Sequence, residues 1–383
     1  MIKRHCSLDN PFFNEEVGRV FRCSGWDLQN TNEIGVAING LPLFSLSRSF
    51  REDLRNAFPS NGRAVTCGFY GDVVLPDSSE NKVELTLIEN VDDVWKPFHS
   101  VYIDVKQQAE QMLPDRKRNY CINDILAWPG GESIEGFESR KLVGRENKQQ
   151  RNGVETYSIN GIPHFHNENT LPLIRVSEQA TTHPHSKRAK TIIDAAGLVL
   201  DLGAGIPDPD HIPPNMVLTD AVHSPNLDVV NTCGSLPFKD NTFDAVISQA
   251  VFEHVRNPFL MAREVHRILK PGGIFYLTTA FMQPLHGDPS HYYNMTMNGL
   301  KDVLADFDIE EIGLEPSQQP SYGIQMAIEA VLPYMTSGNM KDAIEFAHEF
   351  IVSNRSQFDN ALGPVGRETL AAGFYAVGRK ISK

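Results

Sequence analysis

The stretch from Leu198 to Ala280 constrains the chain more than any other. It opens with Leu198-Val-Leu-Asp-Leu-Gly-Ala-Gly205, an apolar run that ends in an acid and two glycines. Such a run reads as a buried parallel strand breaking into a tight loop, where glycine lets the backbone come close to a ligand. Met216-Val-Leu-Thr-Asp220 repeats the design, with a carboxylate at the carboxyl end of an apolar strand. An acid in that position suits the two hydroxyls of a ribose. Phe243-Asp-Ala-Val-Ile-Ser248 reads as another strand, and the helix after it carries its own limits. Asn257 is a good N-cap, Pro258 suits the first helical position, and Pro271-Gly272-Gly273 stops the helix. Met261, Val265, Ile268 and Leu269 share one face, so the helix packs on the sheet. Gly273-Ile-Phe-Tyr-Leu-Thr-Thr-Ala280 is the next buried strand.

Leu200-Asp-Leu-Gly-Ala-Gly205, Leu236-Pro-Phe-Lys-Asp-Asn-Thr-Phe-Asp244, Phe252-Glu-His-Val255 and Arg267-Ile-Leu-Lys-Pro-Gly-Gly273 follow one another in order. Together they resemble the successive motifs of class I S-adenosylmethionine-dependent methyltransferases of the type 11 kind. A lone glycine loop is weak evidence, because NAD enzymes share it. The resemblance covers residues 186–383. It implies an α/β, Rossmann-like sheet, mostly parallel, whose last strand runs antiparallel. Ala371 to Lys380 is similar to that last strand, which makes 316–370 an insertion between the last two strands. The cofactor implied is S-adenosylmethionine. Asp201, Gly203 and Gly205 would surround its amino-acid end, Asp220 its ribose, Ser235 and Leu236 its adenine, and Gln249 would lie beyond the strand carrying Asp244. The chain departs from the pattern at Pro207, where the third glycine usually stands. Pro207, Pro209, Pro213 and Pro214 crowd the place of the usual helix, and prolines break helices. Thr232 stands near the place of the usual acid before the adenine loop.

A net charge of −13 argues against non-specific binding to nucleic acid or an anionic membrane, since phosphate binding needs a basic surface. The five cysteines are scattered and never in CxxC spacing, which suggests free thiols in a reducing compartment. No apolar run approaches a membrane span and the first thirty residues lack a signal-peptide core, so the cytoplasm is the expected location.

Residues 1–105 read as antiparallel β structure. Val36-Ala-Ile38 meets the hairpin signal Asn39-Gly40, and Val83, Leu85, Leu87 and Val101, Ile103, Val105 alternate with polar residues. This pattern suggests a sandwich, with a short helix over Arg51–Phe58. Gly25-Trp26, Asn39-Gly40, Arg51-Glu-Asp53, Phe58-Pro59 and Gly68-Phe69 resemble a β-sandwich module fused to glycan-modifying enzymes. The resemblance implies docking to a glycan-biosynthesis enzyme or glycan recognition, against a purely structural appendage. Residues 106–185 read as a polar connecting helix, Lys106 to Asn119, then a degenerate ribbon-like linker. Glu155 to Pro163 is similar to the end of a zinc ribbon, yet only Cys121 is present, so no ribbon zinc is expected. Arg140 to Asn152 reads as a flexible loop. The pairs His164/His166 and His183/His185 suit either a metal or, with more weight, a solvated linker.

The richest polar cluster is Pro284-Leu-His286-Gly-Asp288-Pro-Ser-His291-Tyr292-Tyr293, which follows a strand's carboxyl end. His286 or His291 is a candidate base for a hydroxyl acceptor, and Asp288 joins them as a catalytic candidate. A loop tied by hydrogen bonds and a divalent-metal site are the competing readings, and no metal ligand is assigned. Glu253-His254 reads as capping and packing. The chain is therefore expected to methylate a hydroxyl of a sugar, glycan or other small acceptor, as a homo-oligomer or docked through its N-terminal domain. The competing reading is an inactive scaffold that keeps the fold.

Overall fold

The structure is a computed structural model, and it describes residues 6–10, 16–17, 20–28, 32–49, 67–75, 82–105, 118–128, 134, 148–159, 162–167, 173–174, 185–224, 226–286, 290–335 and 338–381. Two compact units are present. One comprises Met1–Thr182, Ala204–Pro214 and Leu218–Cys233, and the other His183–Gly203, Asn215–Val217 and Gly234–Lys383. In chain order the strands are β1 (Cys6–Asn10), β2 (Glu16–Val17), β3 (Val20–Asp27), β4 (Ile34–Ile38), β5 (Leu41–Ser49), β6 (Gly68–Val74), β7 (Lys82–Val91), β8 (Val94–Val105), β9 (Gln149–Arg151) and β10 (Val154–Ile159). They continue as β11 (Ile162–Asn167), β12 (Leu173–Ile174), β13 (Val199–Leu202), β14 (Met216–Asp220), β15 (Val222–His223), β16 (Val229–Asn231), β17 (Phe243–Gln249), β18 (Leu269–Ala280), β19 (Phe307–Gly313) and β20 (Gly373–Lys380).

In the first unit, β1 to β8 form one sheet in the order β1-β3-β6-β5-β4-β7-β8-β2. Pairing is antiparallel, as the alternating pattern requires, except between β2 and β8. Strand β5 pairs with β4 along Leu41–Leu46 and with β6 along Ser47–Ser49, so it carries the sheet from one half to the other. Val36, Phe44, Phe69, Leu85 and Ile103 belong to one buried cluster. Asn39 and Gly40 both take positive φ, 48° and 82°, which is the twist a two-residue hairpin demands. Asp92-Asp93 does the same between β7 and β8, with φ of 52° and 61°. The expected helix over Arg51–Phe58 lies outside the described residues, as do 106–117 of the expected connecting helix.

The same unit holds a second set of strands. Antiparallel β10 pairs with β9 and β11, β11 runs parallel to β16, and β16 parallel to β14. Of the loop expected over Arg140 to Asn152, the described part, 148–152, includes β9 and the start of the Asn152-Gly153 turn into β10.

The second unit carries strands in the order β19-β20-β18-β17-β13. β13, β17 and β18 are mutually parallel neighbours, while β20 lies antiparallel between β18 and β19. A mixed, mostly parallel sheet of this kind fits a Rossmann-like α/β fold. Ser186 caps the helix Lys187–Ala195, and Asn257 caps the helix Pro258–Ile268, whose Met261, Val265 and Ile268 are buried as expected. Leu269 does not extend that helix. Its backbone is already extended, and it starts β18 opposite Phe243, ahead of the expected Gly273. Residues 316–370 form helices, among them Pro320–Val331 and Asn339–Ser353, between β19 and β20. Among the described residues no helix is long and apolar enough to cross a membrane.

Candidate functional site

In the second unit β13 delivers Asp201, which is buried and accepts a hydrogen bond from His185 Nε2 at 2.9 Å. No local pattern announces this partner, because it arrives from before the helix that precedes the strand. Gly203 follows with φ of 86°, and a Cβ there would stand 2.1 Å from Cγ2 of Val251. Both observations demand glycine. Gln249 ends β17 and accepts from the Ser186 amide at 3.3 Å. Next to it Ala250 holds a positive φ of 55°, an uncommon state for a residue with a side chain. Its amide donates to the Thr278 carbonyl at 3.1 Å.

Leu236, expected near the adenine, is held within the fold on three sides. Its side chain is fully buried, its amide donates to Glu264 and its carbonyl accepts from Arg267. Arg267 also reaches Glu264, Asp240 and the Phe238 carbonyl. The Leu236-Pro-Phe and Arg267-Ile-Leu motifs are thus two sides of one brace. Leu236 shapes that brace through its buried side chain and both of its backbone groups. Ser235 beside it is half-buried.

In the first unit, Gly205 has φ of 64° and donates its amide to Asp220 Oδ2 at 2.8 Å. Val222 donates to Oδ1 of the same carboxylate at 2.9 Å, and the Ala204 amide donates to the Thr219 carbonyl at 3.1 Å. Asp220 therefore fastens the glycine turn from the end of β14. A carboxylate can accept about four hydrogen bonds, so this duty is compatible with holding a diol. After the turn the prolines act as expected: residues 206–215 contain a three-residue 3-10 turn, Pro209–His211, and no α-helix. The helix dipole that commonly favours a ligand behind such a turn has no source in this segment.

The expectation of a solvated linker at His164/His166 is overturned. Both rings are fully buried on β11, because β11 pairs with β10 on one side and β16 on the other. His166 Nδ1 meets Thr232 Oγ1 at 2.6 Å, its Nε2 meets His164 Nδ1 at 3.1 Å, and His164 Nε2 meets His223 Nδ1 at 2.9 Å. In such a row each neutral imidazole donates from one nitrogen and accepts at the other. Burial and the neighbouring rings hold the His164 pKa well below its usual value, and burial pushes His223 down to about 4. His183 lies outside the described residues.

The polar cluster after β18 is built in the second unit. Asp288 lies outside the described residues, and His286 and His291 come together with ring centroids 4.2 Å apart. Their nitrogens differ in availability. His286 Nδ1 faces the Pro284 carbonyl at 2.9 Å, which can only accept, so the proton is on Nδ1 and the lone pair on Nε2. His291 Nδ1 accepts the His286 amide at 3.2 Å, and its Nε2 donates to the Tyr293 carbonyl and Asn294 Oδ1. His291 is therefore a bracket for His286 and is not placed as a base. Burial, with His291 and His254 nearby, lowers the His286 pKa against the effect of Pro284. Met282, Leu285, Tyr292 and Tyr293 are exposed around the cluster.

Glu253 and His254 belong to this cluster, which the sequence reading as capping and packing missed. Glu253 is fully buried and accepts from Thr279 Oγ1 at 3.1 Å, and burial raises its pKa against its own amide and Thr279. His254 Nδ1 donates to the Ser290 carbonyl at 2.7 Å. Capping of the next helix falls to Asn257, whose Oδ1 accepts from the Leu260 amide at 3.0 Å. The one available signal was polarity: Glu-His stands in an otherwise apolar stretch that must lie against β18.

Residues 211–277 match the family described as a methyltransferase domain. An uncharacterized methyltransferase of Mycobacterium tuberculosis is 30% identical over 126 residues, covering 29% of this chain and 49% of that protein. The chain thus spans about half the length of the curated relatives it matches. Among solved structures, the Burkholderia thailandensis 1,6-didemethyltoxoflavin-N1-methyltransferase with bound S-adenosylhomocysteine is 15% identical, with a TM-score of 0.32 over 54% of this chain and 80% of that one. Phosphoethanolamine N-methyltransferase 2 of Haemonchus contortus, in complex with S-adenosyl-L-methionine, is 13% identical, with a TM-score of 0.31 over 52% of this chain and 50% of that one.

Proposed function

We propose that the C-terminal region is an S-adenosylmethionine-dependent methyltransferase acting on a hydroxyl of a sugar, glycan or other small acceptor. The observation that supports it most is the glycine turn: two left-handed glycines directly after the acid of β13, the second fastened by the acid of β14. The residues fit the cofactor, since Gly203 has no space for a side chain and Asp220 is a partly exposed carboxylate at a strand's end. On this reading Asp201 and Gly203 border the amino-acid end, Gly205 supports the turn, Asp220 takes the ribose, and Ser235 and Gln249 border the base and methyl ends. When bound, S-adenosylmethionine supplies a methyl group already activated on a sulfonium. The chain's task is then to aim it and exclude water, and positioning of this kind is worth roughly 7–11 kcal/mol. His286 engages the acceptor hydroxyl with its Nε2 lone pair, and His291 holds the His286 backbone in place. The N-terminal sheet would dock the enzyme on a glycan-biosynthesis partner, the alternative being a homo-oligomer, and no nucleic-acid or membrane partner is proposed.

Incubating the full chain with S-adenosylmethionine and a panel of sugars should yield a product heavier by one CH2 group. His286→Ala should lower its rate by about 100-fold or more and leave cofactor affinity unchanged. Full turnover by that variant would remove His286 from the acceptor site, and methylation confined to amines would overturn the hydroxyl assignment.

A further inference from the structure

Glu253, His254 and His286 each offer a ligand atom, and these atoms lie within 4.8 Å of one another. We propose that the three residues bind a divalent first-row transition ion of the zinc or cobalt kind. The proposal deepens the reading of the acceptor site above, on which the ion's part in the reaction rests, although binding itself does not depend on it.

The arrangement around the three ligands is what such an ion requires. Histidines that hold a metal commonly donate their other ring N–H to a carbonyl or carboxylate, which fixes the tautomer and aims the lone pair. Here His254 Nδ1 donates to the Ser290 carbonyl at 2.7 Å and His286 Nδ1 to the Pro284 carbonyl at 2.9 Å, so both lone pairs are on Nε2. The rings stand edge to face, with centroids 5.3 Å apart and planes 87° apart. Glu253 is held in turn by the Thr279 hydroxyl at 3.1 Å. His291 fixes the His286 backbone amide and keeps its own nitrogens for that task and for Tyr293 and Asn294.

Charge points the same way. Ionising a buried carboxyl is costly unless it is paired, and the Glu253 carboxyl is buried beside the Thr279 hydroxyl and its own amide, so a cation is the partner that would favour its charged form. A cation between the carboxylate and two imidazoles supplies the missing charge. Two nitrogen ligands and one oxygen select a borderline ion over magnesium or calcium, which prefer oxygen throughout. Tetrahedral bonds of about 2.0–2.1 Å set ligand atoms about 3.3 Å apart, so the three draw together by at most about 1.5 Å when an ion enters. With three protein ligands the ion keeps an open position, the arrangement of catalytic rather than structural sites. With the ion bound, the His286 Nε2 lone pair is taken up by it, so the acceptor's hydroxyl oxygen meets the ion at that open position in place of direct contact with His286, and the ion would ease loss of the hydroxyl proton to solvent.

The test uses the full chain stripped with a chelator and titrated with cobalt(II) alone, without S-adenosylmethionine, followed by visible absorption and equilibrium dialysis. A single equivalent should bind with a visible band, and His254→Ala and His286→Ala should each weaken binding by about 100-fold or more. Because Glu253 is buried, Glu253→Gln is read only alongside circular dichroism showing retained structure, and the two histidine variants carry the decision. No saturable binding, or unchanged binding in both histidine variants, overturns the proposal. Calorimetry with S-adenosylmethionine on the stripped chain separates the two readings: cofactor binding without cobalt binding defeats the ion alone. Cobalt binding without cofactor binding defeats the methyltransferase reading alone.

Discussion

His164 and His223 are fully shielded from water, and their pKa values lie below that of an exposed histidine, near 4 for His223. An unfolded chain therefore takes up protons below about pH 6.5 that the folded first unit refuses. Stability from these groups is complete above that pH and is lost as the pH falls toward the folded values. Each depressed histidine contributes a slope of about 1.4 kcal/mol per pH unit in that window. Between pH 6.5 and 5 ordinary carboxylates stay ionised, so the melting temperature should fall there, and His223→Asn should flatten the fall. A melting temperature independent of pH across that range would show that these rings are solvated when folded. The expectation of a solvated linker missed this group, since a His-x-His pair carries no sign of burial. Burial comes from β16, more than sixty residues later in the chain, and no local pattern announces that pairing.

Elements whose limits depend on neighbouring residues were the most legible. The helix Pro258–Ile268 begins where Asn257 and Pro258 say it should, because capping is chemistry within a single turn. Asn257→Ala should destabilise the second unit by about 1 kcal/mol, visible as a lower denaturant midpoint at unchanged slope, whereas Asn257→Ser should retain most of it. An unchanged midpoint in the alanine variant would mean that solvent caps the helix equally well. The proline-broken segment after Gly205 was legible for the same reason. The place of β20 between β18 and β19 was not written in any local pattern and came only through family resemblance. Glu253, read as capping and packing, does pack, but it caps no helix: it is buried against Thr279 on β18, beyond the reach of a helix-capping argument.

At the scale of the whole chain, a largely antiparallel sheet and a mostly parallel α/β sheet are carried, among the described residues, by one polypeptide, and the methyltransferase match falls within 211–277. The acceptor and the role of the N-terminal sheet are set by surfaces, which sequence periodicity does not describe. The central claim is narrower: the turn Asp201–Gly205 and the carboxylate of Asp220 serve a sulfonium nucleoside. Titration calorimetry of the full chain with S-adenosylmethionine, repeated on Asp220→Ala, tests it most directly. The account predicts saturable binding of a single equivalent that weakens by about 10-fold or more in the variant, where a charged hydrogen-bond partner worth roughly 1.5–3 kcal/mol is lost. No heat at high micromolar cofactor, or equal affinity in the two proteins, would contradict it.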